Sequence, residues 1–144
     1  MAVVELLLSP LPAHVRTARL VVVAAARRAG LDDERVDELR LALGEACSRA
    51  VSLNAVHAPG VAVVVAVQDE PGRLTVTVTD RGPAAGPVPH DVAGGMLDGD
   101  PSADAVHPDV ALAVVTGLVD DVHVEPGPDG TSVRMRWPLE LTVP

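Results

Sequence analysis

Apolar residues follow two rhythms along this chain, and the change from one to the other marks its elements. Ala2-Val3-Val4-Glu5-Leu6-Leu7-Leu8 is a short, nearly continuous apolar run, which predicts a strand. Ser9-Pro10-Leu11-Pro12 breaks it and opens a helix to about Arg28, with Gly30 where a C-cap glycine belongs. Asp32 suits the N-cap of a second helix. Leu31 and Val36 take the N′ and N4 positions of a hydrophobic staple. Val36, Leu39, Leu43, Ala46 and Ala50 recur at helical spacing and form its buried stripe, while Glu38, Glu45, Arg49 and Ser52 lie on or beside a different face.

After Pro59-Gly60 the period shortens. Val61 to Val67 is a run of mostly valines, suited to a well-buried strand, and Gln68-Asp69-Glu70-Pro71-Gly72 is a turn. Leu74 to Thr79 alternates apolar and polar residues, so the two strands should pair as an antiparallel hairpin. Residues 81–108 carry no period and are rich in Gly, Pro and Asp; they predict a lid-like or unstructured loop. A helix returns from Asp109 to about Val119. Val122-His123-Val124 and Thr131 to Trp137 then form a last hairpin around Pro126-Gly127-Pro128-Asp129-Gly130. The order β-α-α-β-β-loop-α-β-β predicts a single α/β domain over residues 1–144. It is a two-layer sandwich whose mostly antiparallel, mixed sheet is covered by helices on one face.

Composition narrows the core and the partners. The chain has 144 residues, 48% of them hydrophobic, with no Phe or Tyr and one Trp, Trp137. Ile and Lys are also absent, and Asn54 stands alone among asparagines. Valine, leucine and alanine must therefore make the core, and the bias against AT-rich codons points to a high-GC bacterial gene. A net charge of -9 argues against nucleic-acid binding, which needs a basic face. No apolar run reaches the ~18–20 residues of a membrane span, and the first residues lack a signal peptide's basic region, so a cytoplasmic location is expected. The five histidines are scattered, which predicts no structural zinc, and the lone Cys47 suits a small core position.

Three segments carry the candidate chemistry. Helix two contains Gly44-Glu45-Ala46-Cys47-Ser48-Arg49-Ala50. Strand and loop meet at Asp80-Arg81-Gly82-Pro83-Ala84. The third helix begins Asp109-Val110-Ala111-Leu112, and Gly130-Thr131-Ser132-Val133 follows in the last hairpin. Taken alone, Glu45 and Arg49 are an i,i+4 ion pair worth ~0.3–0.5 kcal/mol. Asn54 lies nine residues beyond Glu45, about 180° around the helix, and points away from it.

In their order and spacing these segments resemble the histidine-kinase-like ATPase superfamily (the Bergerat fold). Within it the chain is similar to the small bacterial anti-sigma-factor/serine-kinase switch proteins, over about Leu6 to Leu139. The resemblance implies roles for individual residues. Glu45 matches the general base of a Glu-Ala-x-x-Asn-Ala motif, whose magnesium-binding Asn is replaced by Arg49. Asp80 would read the adenine amino group and Gly82 would make room for the ring, with Thr131 beside them. In the third motif the two phosphate-loop glycines have become Asp109 and Ala111. A carboxylate at a helix N-terminus caps the helix, for ~1 kcal/mol, and repels phosphate where free N–H groups would otherwise attract it. An arginine near Arg19 lies on a partner surface in such proteins.

Two functions follow from the resemblance. One is an anti-sigma-factor-like regulator that binds a sigma factor and a STAS-domain anti-sigma-factor antagonist in a partner-switching stress response. It would have no bound cofactor or metal, a degenerate ATP site, and scope for pairing of two copies. The alternative is an active serine/threonine kinase using ATP and Mg²⁺, with Glu45 accepting the proton of the antagonist's serine. A structural or metabolic domain on the same scaffold is the third class.

Overall fold

The computed structural model describes residues 2–82 and 108–140, so 83–107 of the expected loop lie outside the described residues. The elements are β1 (Ala2–Leu8), α1 (Ala13–Ala29), α2 (Asp33–His57), β2 (Val63–Glu70), β3 (Arg73–Asp80), α3 (Pro108–Leu118), β4 (Asp121–Gly127) and β5 (Gly130–Pro138).

The sheet order is β1-β2-β3-β5-β4, and all four ladders are antiparallel. The mixed sheet expected from the element order is therefore wholly antiparallel among the described strands. The reason lies in the return after α3. β4 runs parallel to β3, but β5 is inserted between them, so no parallel neighbours meet.

Alternation along each strand makes the core. Val63, Val65 and Val67 of β2 point to one face with Leu74, Val76 and Val78 of β3 and with Val133, Met135 and Trp137 of β5. The stripe of α2 (Val36, Leu39, Leu43, Ala46, Ala50) packs on that face, joined by Val15, Ala18, Val22 and Ala26 of α1. Each fully buried valine or leucine is worth ~1.5–3 kcal/mol over an exposed one. A core almost without aromatic rings therefore needs many of them. α3 lies along α2 and completes the helical layer.

Local signals explain the boundaries. Gly30 adopts φ 97°, the left-handed cap that ends α1. Asp32 caps α2 by accepting the Arg35 backbone N–H at 2.9 Å. The β2–β3 turn is shorter than expected. Gln68, Asp69 and Glu70 pair with Thr75, Leu74 and Arg73, leaving only Pro71-Gly72 to turn, with Gly72 at φ 79°. β4 is longer than expected, because Pro126 is tolerated at the sheet's edge.

Candidate functional site

At the end of β3 the carboxylate of Asp80 meets the guanidinium of Arg49, which reaches across from α2. Arg49 Nη1 donates to Asp80 Oδ2 at 2.7 Å, with the two side chains 2% and 1% exposed. The i,i+4 bridge expected between Glu45 and Arg49 is not formed. Arg49 stands about 40° further around α2 than Glu45, and burial gives its charge one strong partner. The buried guanidinium and carboxylate at hydrogen-bond distance compensate one another, since either charge left unpaired in this core would carry a desolvation cost of several kcal/mol.

The other carboxylate oxygen is engaged too. Gly82 N–H donates to Asp80 Oδ1 at 2.9 Å, so the chain leaving β3 closes on its own side chain. That turn needs glycine: a Cβ at position 82 would stand 2.9 Å from Leu53 Cβ. Close by, the fully buried Asn54 donates from Nδ2 to the Val61 carbonyl at 3.0 Å and accepts the Arg81 N–H on Oδ1 at 2.7 Å. Asn54 does face away from Glu45. It joins the end of α2 to the start of β2 and the end of β3, a positioning role for the Asp80 segment that sequence reasoning missed. The available signal was its place on the buried stripe, four residues after Ala50.

The remaining expected residues divide between this cluster and elsewhere. Thr131 sits directly across from Asp80 on β5, 1% exposed, with no hydrogen-bond partner for Oγ1 among the described residues. Glu45 is half-buried on α2 and makes no ion pair or hydrogen bond among the described residues. Ala111 is buried in α3. Asp109 lies in the first turn of α3, and its side chain is outside the described residues.

Arg19 belongs to a different contact. Its guanidinium lies against Gly44 across the α1–α2 seam, in a notch that a Cβ would fill. It also faces the buried Cys47. Burial pushes that thiol up to about 12, with the Arg19 charge acting in the opposite direction. Cys47 is therefore an inert core thiol.

Chemically, the two charges of the cluster are paired with one another, while Arg49 Nε is buried with no hydrogen-bond partner among the described residues. Both oxygens of Asp80 are occupied by protein donors, and position 49 offers a cation with no lone pair for a metal. These residues do not fit a magnesium–nucleotide complex of the kind the resemblance implies. A cleft of about 330 Å³ does open beside Asp80, lined by Thr79, Arg81, Gly130, Ser132 and the β4–β5 turn, but Arg49 does not line it.

A family model described as a histidine kinase-like ATPase domain matches residues 8–137. A crystal structure of the RsbU and RsbW domains of Rv1364c from Mycobacterium tuberculosis is similar in fold, with a TM-score of 0.65 and 18% identity. The similarity covers 99% of this chain and 35% of that one, so the chain spans about a third of that protein's crystallised length. At this identity the likeness concerns the fold alone. No curated protein matches.

Proposed function

The chain belongs to the histidine kinase-like ATPase family, and from that premise we propose that it is an anti-sigma-factor-like regulator. It controls transcription by protein–protein binding and binds ATP weakly or not at all. One observation carries the second half of this reading: the carboxylate at the family's adenine-reading position is paired, in a buried site, with Arg49. A nucleotide would have to share that carboxylate with an internal cationic donor held at 2.7 Å. Its phosphates would gain no metal held from position 49. The first half is supported by the family match and by the likeness to a structure containing an RsbW domain.

In this reading the partners are a sigma factor and a STAS-domain antagonist that compete for the protein, with affinity set by interface contacts. Arg19 is the residue proposed to take part in partner binding. Substituted Arg49, Asp109 and Ala111 replace the metal and phosphate contacts, and Asp80, Gly82 and Thr131 are adenine-side remnants. The test is a competition assay with purified partners. The antagonist should displace the sigma factor to the same extent with and without Mg²⁺–ATP. Phosphorylation of the antagonist's serine would establish the alternative, an active serine/threonine kinase in which the unpartnered Glu45 serves as base.

A further inference from the structure

The helices cover one face of the sheet, and no described element packs on the other. On that open face the strands set out three bands. β1 and β2 present Val3, Leu7, Val64 and Ala66 around Glu5 and Gln68, with Val3 and Leu7 57% and 68% exposed. β3 presents Thr75, Thr77 and Thr79. β5 presents Arg136 and Arg134, directly across from Thr75 and Thr77. A sheet with one face in water accounts for the threonines. It does not account for the arginines. Neither guanidinium makes an ion pair or a hydrogen bond among the described residues, although Asp121 is the cross-strand neighbour of Arg136. Arg134 Nε, Arg136 Nε and the hydroxyl of Thr75, a residue 6% exposed, are buried with no hydrogen-bond partner among the described residues. So is the Nε of Arg73, two positions before Thr75 on the same face. Buried donors without acceptors are uncommon and costly, and here they are gathered on two adjacent strands.

We infer that this face docks an acidic segment of a partner protein, an amphipathic helix laid along β3 with apolar residues over β1–β2 and carboxylates over β5. The dimensions suit it. From β2 across β3 to β5 is two strand spacings, roughly 10 Å, and a helix with its side chains is about 10–12 Å wide. Arg134 and Arg136 stand two residues apart on one strand, roughly 6–7 Å. Helical side chains three or four positions apart are separated by a similar ~5–6 Å. Two Glu or Asp residues at that helical spacing would each meet one guanidinium, and the charge-assisted hydrogen bonds would supply the acceptors this face lacks. Charge also selects protein over nucleic acid. The chain carries -9 overall, and Glu5, Asp121 and Glu125 border the arginines on the same face. A polyphosphate would meet those carboxylates along its length. A peptide sets its few carboxylates only where the guanidiniums stand. This inference rests neither on the proposed regulatory function nor on nucleotide binding.

Two labelled peptides of about 18 residues, long enough to hold a helix, test it against the full chain. One is amphipathic, with leucines on one flank and Glu pairs at i and i+4 on the other; its counterpart has Gln for every Glu. Fluorescence anisotropy measures binding, and amide chemical shifts locate it. The wild type should bind the Glu peptide about tenfold more tightly than the Gln peptide. The largest shifts should fall on Thr75, Thr77, Arg134 and Arg136. Arg134→Gln/Arg136→Gln should lose that preference and keep the wild-type circular dichroism, since neither side chain belongs to the core. Arg134→Glu/Arg136→Glu should transfer the preference to a peptide with Lys for every Glu, which a merely structural role of the arginines does not predict. Equal binding of the Glu and Gln peptides, no binding of either, a preference that survives Arg134→Gln/Arg136→Gln, or shifts centred on another surface would overturn the inference. Tighter binding of a single-stranded oligonucleotide than of the Glu peptide would overturn it as well.

Discussion

Arg49 and Asp80 form an ion pair with almost no access to water, so the cost of breaking it depends on what is left behind. Arg49→Ala or Asp80→Ala strands a buried charge and should cost ~3–5 kcal/mol in denaturant unfolding. Replacing both residues together with apolar side chains of similar volume should cost much less than the sum of the single changes. A double variant as unstable as that sum would show that the two residues do not act as a pair. Gly82 belongs to the same unit. Gly82→Ala drives a methyl group against Leu53 and should lose ~1–3 kcal/mol, measurable by the same unfolding curves. Cys47 gives a pH signature. Its folded-state value is raised from 9.0 to about 12, so the unfolded chain releases its proton first. Stability is therefore fully present below pH 9 and should erode as pH rises from there toward about 12. Cys47→Ala should reduce that alkaline loss, and native Cys47 should resist thiol reagents at pH 8.

At the scale of elements, the short apolar runs and the capping residues made the order legible. Gly30, Asp32 and the alternation of β3 and β5 place strands and helices with small errors at the ends. The errors have local causes. Gln68 to Glu70 are polar and resemble a turn, yet they pair across the hairpin because Pro71-Gly72 alone can reverse the chain. The site was legible as residue types and much less so as contacts. Helical spacing brings Glu45 and Arg49 near one another, and no local rule reveals that Arg49 reaches 31 positions along the chain to Asp80. That choice is made by burial, a property of the packed molecule. The place of Asn54 on the buried stripe was legible, but its partners 7 and 27 positions away were not. Asn54→Ala should free the Arg81 N–H and the Val61 carbonyl, costing ~1–3 kcal/mol. It should also speed hydrogen exchange at Arg81 more than at the centre of β3. Equal protection at both would remove Asn54 from its positioning role.

Across the whole molecule, a family scaffold is retained while the two buried charges of its site pair with one another. Trp137 lies at the far end of the sheet: it pairs with Leu74, six residues along β3 from Asp80, roughly 20 Å away. It is 1% exposed and donates its indole N–H to Glu38 at 3.0 Å. Its fluorescence therefore reports folding better than events at Asp80, and a calorimetric readout suits the site. The most direct measurement is an isothermal titration of the wild-type protein with Mg²⁺–ATP and Mg²⁺–ADP, with Arg49→Asn/Asp109→Gly titrated in parallel. The account predicts no saturable heat from the wild type and recovery of binding in the double variant, where Asp80 is released from its arginine. Micromolar binding by the wild type would contradict it.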